Sequence, residues 1–472
     1  MKKQLHRYLA LMLLGILALP DIYAEEQVVT METSKSTGDT LTFFVNKKSG
    51  VSVDWGDGIY VPYTTDSIVG TLKQGNKVTV KGNENWYIFS CENNELTSLN
   101  VTNATLLKTL FCNQNSLSKL DISKNVELTD LDCSNNQLTA LSTTNNSELL
   151  YLNCSDNEIT SLTSTFYNKK IETIICNSNK LKTLPVGITS LKSLMCGYNE
   201  ISKLNTSRMT LLEILTCPSN NMTEINFGAK DSLQILLMQD NSVENIDLSQ
   251  AQSLQTLNCS DNNLSKITYY SPKVKKDYYY INCSNNNLLY NSLISTSKVK
   301  NSATNYIYAP QGLYEIQQTM DVADTLNLSE TRYNAEDRAI ASFSVYTKDG
   351  TKLSSGVDYR IISSQKIKFY KPFVDSVYIE ISASRYFPNL TIRTTNMQVT
   401  DVVSINQVQE DIAGFNVRPG DGEIYMSANK ETLVRIYTSD GCLYWQGLVS
   451  AGEHTMTLPH GIYIVNSIKV KI

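Results

Sequence analysis

A solenoid of about ten stacked repeats, with parallel strands on its concave side and β domains at both ends, is predicted by three observations. Asparagine recurs at one phase, at Asn94, Asn115, Asn136, Asn157, Asn179, Asn199, Asn220, Asn241, Asn262 and Asn286, with spacings of 21, 21, 21, 22, 20, 21, 21, 21 and 24 residues. Nine of the ten cysteines (Cys91, Cys112, Cys133, Cys154, Cys176, Cys196, Cys217, Cys259, Cys283) each stand three residues before one of these asparagines, and Met238 fills that place in the remaining repeat. Apolar residues keep step with both, as in Leu128-x-x-Leu131-x-Cys133-x-x-Asn136-x-Leu138.

That period and pattern are the mark of leucine-rich repeats. The predicted fold is therefore a leucine-rich-repeat solenoid of about ten repeats of 21 residues, with parallel β on the concave face. An N-terminal β cap and a C-terminal immunoglobulin-like sandwich flank it. In each repeat the strand lies around the Leu-x-Cys core, and the alternate residues face outward. A buried asparagine after the strand can satisfy backbone groups of adjacent turns, a structural role whose loss costs about 1–3 kcal/mol. The cysteine slot accepts Met238, so it wants a modest apolar group. Strands about 4.8 Å apart also match poorly the roughly 3.8 Å Cβ separation of a disulfide. A column of buried free thiols acting as small hydrophobes is expected.

In chain order, residues 1–24 read as a secretory signal peptide. Lys2, Lys3, His6 and Arg7 form a basic start, Tyr8 to Leu19 an apolar stretch too short to span a bilayer, and Ile22-Tyr23-Ala24 a cleavage site. No other segment is long and apolar enough for a transmembrane helix, and no cysteine follows the cleavage point as a lipid anchor would need. The chain carries a formal charge of −5; removing Lys2, Lys3, Arg7 and Asp21 takes away three positive charges and one negative, leaving −7. Charge this mild and dispersed argues against a nucleic-acid surface.

Residues 25–84 hold short β runs punctuated by glycine: LTFFV, VSVDWGDG, KVTVKG. The piece VSVDWGDG resembles the strand-and-turn of PKD-type β modules. Asp54 and Asp57 raise a calcium site as one alternative, an Asp-Gly turn closing a hairpin as the other. The segment is expected to cap the repeat stack, whose terminal units need covering. Repeats fill residues 85–297. The last carries the insertion YYSPKVKKDYYY (Tyr269 to Tyr280), either a tyrosine-rich contact surface or a loop covering the end of the stack.

Residues 298–400 lose the asparagine period and alternate apolar and polar residues in ASFSVYT, DYRIIS, KIKFY, SVYIEIS and LTIRTT, as an immunoglobulin-like sandwich does. Residues 401–472 hold further β runs. The run Gly461-Ile462-Tyr463-Ile464-Val465 and the ending Lys469-Val470-Lys471-Ile472 resemble the C-terminal sorting domain of type IX secretion cargo, although the interval between them is short. That resemblance implies export across the outer membrane of a Gram-negative cell and surface attachment. Taken together, the cysteine-bearing repeats, the WGDG-containing cap and the following sandwich resemble internalin-J-like surface proteins. Such proteins are adhesins or host-interaction proteins with diverse ligands.

Only three histidines are present: His6 in the leader, His454 and His460 in the sorting region. A mature chain without those ends would have none, which excludes Ser-His-Asp and Cys-His catalysis and histidine-ligated zinc. No Walker loop or dinucleotide fingerprint occurs. No cofactor, no metal and no enzymatic activity are expected.

The repeat phase places Ser90, Glu92, Asn113, Asp130, Asp132 and Ser134 outward in the first repeats, and Thr256, Asn258, Ser260 and Asn282 in the last. Between them the outward slots hold Ile175, Met195, Ile214, Ile235 and Leu237, flanked by Tyr151 and, further off, Phe111. A polar face interrupted by aliphatics marks an interaction site. Strand propensity alone explains Ile175, Ile214 and Ile235, but explains Met195 and Leu237 less well. The expected partner is a host or bacterial surface protein, in adhesion or biofilm formation. A carbohydrate-binding role in nutrient capture, centred on Tyr278, Tyr279 and Tyr280, is the alternative.

Overall fold

The computed structural model describes residues 26–46, 50–82, 86–163, 168–185, 187–270, 278–294, 299, 301–331, 341–363, 365–383, 387–400, 414–438, 442–466 and 468–471. The expected leader and residues 271–277 of the tyrosine-rich insertion lie outside them. The chain divides into two compact units, 1–312 with 384–391, and 313–383 with 392–472.

In the first unit the 21-residue period becomes a column of three-residue strands. Ten of them, from Ile88–Ser90 through Asp130–Asp132 and Ile235–Leu237 to Tyr280–Asn282, pair in parallel with their repeat neighbours. The register is in phase throughout: Leu131 faces Leu110 on one side and Leu152 on the other. The middle residue of each strand is buried and the two alternates are half-buried, Thr109 alone being buried, so the Leu-x-Cys face forms the core and the other face is the concave surface. All nine repeat cysteines are buried and unbridged.

Each ladder asparagine closes its turn with both ends of its amide. Asn136 Nδ2 donates to the carbonyls of Cys133 (3.1 Å), Ser134 (3.2 Å) and the preceding repeat's Cys112 (3.0 Å), while its Oδ1 accepts from Leu117 N (2.9 Å). The same bonds recur at Asn157, Asn199 and Asn262. In the position before each asparagine the backbone turns left-handed, from Asn93 (φ 54°) to Asn285 (φ 52°). Most of these residues are Asn, Asp, Gln or Ser; Asn and Asp in particular tolerate that region.

Both ends of the stack are built into the same ladder. The strand Thr40–Val45 pairs antiparallel with Ile88–Ser90, and Thr42 exchanges bonds with the Asn94 side chain through its N–H (3.0 Å) and its carbonyl (2.7 Å). The strand Gln27–Thr33 pairs with Leu96–Asn103 on the other side of the same coil. The cap is thus continuous with the first repeat. Its WGDG turn is closed by Asp54, whose carboxylate accepts from Gly56 N and Gly58 N, both at 2.9 Å. Gly56 is required there: at φ 103° an added Cβ would lie 2.0 Å from the Gln74 carbonyl oxygen. Trp55 is buried beneath, its indole N–H donating to Tyr63 at 3.0 Å.

At the other end the strand column continues past residue 297. Tyr306–Ile307 pairs in parallel with Tyr280–Asn282, and Gln311 takes the place of an eleventh asparagine. Its Nε2 donates to Cys283 O (2.8 Å) and Tyr308 O (2.7 Å), and its Oε1 accepts from Leu288 N (2.9 Å). Aromatic rings then close the apolar end: Tyr308 and Tyr290 pack on Phe387 with centroids 5.3 and 5.7 Å apart, and the Tyr290 hydroxyl donates to Leu390 O.

Apart from a 3-10 turn at Ser329–Thr331, the regular structure described in the second unit is β. Small sheets such as Ser342–Thr347 with Val377–Ser382 occupy residues 319–400. A three-stranded and a four-stranded sheet follow in residues 415–471, around a core of Ile424, Val434, Ile436, Val465 and Val470.

Candidate recognition surface

The concave sheet is the surface that sequence phase selects, and its register decides which of the expected residues meet. Ile175 stands directly beside Met195, and Ile214 beside Ile235. Leu237 shares the Ile235 strand, while Thr216 separates it from Met195 in its own column. These five therefore span four consecutive coils. Tyr151 neighbours Thr173 and Asp130, and Phe111 neighbours Ser90 and Asp132, with Asp132 and Asn153 between Phe111 and Ile175. The two aromatic residues do not join the aliphatic group. All seven are half-buried, because each packs on its column neighbours.

Tyr198 belongs to this region and escaped the strand phase. It occupies the left-handed turn position after the Met195 strand (φ 55°), yet its side chain is 60 % exposed. A bulky residue in that conformation is strained, and strain kept at a surface points to use. Its signal in the sequence was an aromatic in a slot otherwise held by Asn, Asp, Gln or Ser.

The tyrosine-rich insertion divides. Tyr278 is buried, edge-on to Tyr269 at 6.3 Å, and so contributes to the core and not to a contact surface. Tyr279 is 61 % exposed, and Tyr280 is half-buried on the concave sheet beside Thr256.

Toward the N-terminal end the concave face turns acidic. Asp132 accepts from Ser134 N (3.0 Å), Ser134 Oγ (2.6 Å) and Asn153 Nδ2 (2.9 Å). Partial burial raises the Asp130 carboxyl above its usual range, against a bond from Thr129 that lowers it. Burial, and then the Asp132 charge, raise Glu92. The Asn113 Oδ1, in the coil between Glu92 and Ser134, is buried with no hydrogen-bond donor among the described residues.

The nine repeat thiols are buried and unbridged. Burial pushes Cys154 and Cys283 up to about 12 and Cys112, Cys133 and Cys259 well above the usual thiol range. Among the described residues no group of three or more His, Cys, Asp and Glu side chains is placed to hold a metal ion, and no helix is long and apolar enough to cross a membrane.

No family model and no curated protein matches the chain. Solved structures do. The functional domain of InlJ from Listeria monocytogenes, which includes a cysteine ladder, is 16 % identical over 70 % of this chain and 94 % of its own, with a TM-score of 0.22. YopM of Yersinia pestis, a leucine-rich effector protein, is 24 % identical over 43 % of this chain and 56 % of its own, with a TM-score of 0.37. The leucine-rich repeat domain of APL1B is 23 % identical over 39 % of this chain, which spans 59 % of that domain, with a TM-score of 0.35. The repeat register and asparagine ladder described above make this chain a leucine-rich-repeat protein in fold.

Proposed function

We propose that this is an exported cell-surface protein that binds a protein partner on its concave sheet, in adhesion to host or bacterial surfaces and in biofilm formation. The observation that carries this reading is the registered aliphatic group Ile175, Met195, Ile214, Ile235 and Leu237 with the exposed, strained Tyr198 at its margin. Each aliphatic side chain contributes about 1.5–3 kcal/mol when a partner buries it fully, before ordering costs. Tyrosine at such a margin suits an interface anchor. Phe111 and Tyr151 are proposed as outlying contacts, with Tyr279 and Tyr280 as a secondary one. The flanking regions are proposed as a PKD-like cap, an immunoglobulin-like spacer and a type IX sorting domain on the outer-membrane exterior of a Gram-negative cell.

The test is binding of the protein to a panel of matrix proteins, bacterial surface proteins and glycans, with Ile175→Asp/Ile214→Asp/Leu237→Asp run beside the parent. A protein hit lost in that variant supports the reading. A hit that persists, or a glycan hit that depends on Tyr279 and Tyr280, replaces it with the carbohydrate-binding alternative or another face.

A further inference from the structure

Phe111 is unexplained by an aliphatic docking patch from which two polar residues of its own column separate it. Its surroundings supply a different logic. It stands beside Asp132 in register, with Asp130 on the same neighbouring strand and Glu92 just past the preceding one. Nothing positively charged balances these acids on the sheet. The outward residues of the ten repeat strands include Asp130 and Asp132 but no Lys or Arg, and the left-handed turn positions along one margin add Asp156, Asp240 and Asp261 without a base. Bases that precede the strands are engaged elsewhere: Lys192 pairs with Glu172 at 2.9 Å, and Lys108 lies over the Tyr87 ring at 5.3 Å.

We infer that the concave face recognises a basic protein segment, whose Lys or Arg side chain lies on Phe111 among Glu92, Asp130 and Asp132 while its apolar residues cover the aliphatic group. This rests on the docking reading above and names its partner's chemistry. Lys and Arg carry donors and no acceptor, which suits a face whose charged groups, Glu92, Asp130 and Asp132, are all acceptors. The Phe111 ring offers its face to a guanidinium or an ammonium and its edge to the alkyl stem. Burial raises both carboxyls, with the Asp132 charge adding at Glu92 and the Thr129 bond opposing at Asp130, and a cation placed beside them favours their charged forms. Geometry sets the spacing. Four strand steps separate Phe111 from Met195, about 19 Å at the usual inter-strand distance. An extended segment covers that in about six residues.

The probe is a random peptide library displayed on phage and selected against the immobilised full-length protein. Enriched peptides are synthesised and titrated at low and high salt against the parent, Glu92→Gln/Asp132→Asn and Ile175→Asp/Ile214→Asp/Leu237→Asp, each shown folded by circular dichroism. Asp132→Asn keeps the oxygen that accepts from Ser134. The inference predicts peptides with Lys or Arg about six residues from an apolar run. It also predicts about tenfold weaker binding to the charge variant, with a flattened salt dependence, and loss of binding to the aliphatic variant. Enriched peptides without a basic residue, or equal affinity for the charge variant, overturn this inference and leave the aliphatic docking reading intact. Affinity that survives the aliphatic variant, or no enrichment at all, overturns both.

Discussion

The solenoid carries two internal ladders, and they obey different rules. On the concave side one residue type holds the slot in all ten repeats, from Asn94 to Asn286. On the opposite side of the coil the equivalent slot, three residues before a buried Leu or Ile, holds Ala104, Asn125, Asn146, Asn168, Ile188, Met209, Lys230 and Ala251 in turn. The reason lies in what each slot must satisfy. A concave asparagine both donates to strand-end carbonyls and accepts a buried N–H from the preceding coil. Of the three convex asparagines, Asn125 and Asn146 only donate, and Asn168 accepts from a side chain, Thr143 Oγ1 at 2.8 Å, and from no backbone N–H. Asn146 Nδ2 reaches Ile122 O (3.1 Å) and Asn125 O (2.7 Å), while its Oδ1, like that of Asn125, has no partner. Lysine, with three donors and no acceptor, can therefore stand in for asparagine on the convex side only. Lys230 does so: it is 1 % exposed, and its ammonium donates to the carbonyls of Thr206 (2.8 Å), Phe227 and Ala229 (3.2 Å).

Substitutions at the two ladders put that contrast to the test. Asn157→Asp has the largest expected effect, since it points a carboxylate at the carbonyls of Cys133, Cys154 and Ser155. Loss of these donors and burial of a charge cost at least about 3 kcal/mol, read as a lower urea midpoint. Asn146→Ala removes two bonds and leaves no N–H unpaired, so it costs less, about 1–2 kcal/mol. Asn146→Lys is the sharper variant: folding close to the parent would establish the donor-only rule, whereas the same change at Asn157 should fail because Leu138 N–H loses its acceptor.

A smaller effect is expected from Lys230 through pH. Burial pushes its ammonium down to about 8 from an ordinary 10.5. Between those values the unfolded chain holds more protons than the folded one, so stability rises with pH across the window. The charged form penalises the fold below it. Urea midpoints of the parent minus those of Lys230→Met should therefore increase from pH 7.5 to pH 10; a flat difference would mean that the carbonyls fully compensate the buried charge. The nine repeat thiols are buried, so Cys442, the exposed one, should react alone with a thiol reagent in the native protein, and all ten after unfolding.

The same contrast explains what was legible in the sequence. A slot that accepts one residue type leaves a period, and the concave ladder, the thiol column and the outward phase were all read from it. The eleventh rung was not, because Gln311 follows Asn286 by 25 residues and its longer amide changes both type and spacing. The convex ladder tolerates Ala, Ile, Met and Lys and so leaves no signature. Phase located the outward residues but not their neighbours. Only the register separates Phe111 from Ile175, joins Ile214 to Ile235, and sends Tyr278 into the core beside its exposed neighbour Tyr279.

The concave face is the one part of each coil that the ladders leave free, and that is what most needs measuring. Ile175→Asp/Ile214→Asp/Leu237→Asp should be melted and titrated beside the parent against whichever panel protein binds. Because those side chains point away from both ladders, the account predicts a melting temperature near the parent's and binding reduced below detection. Binding retained at parental affinity by the folded variant would contradict it.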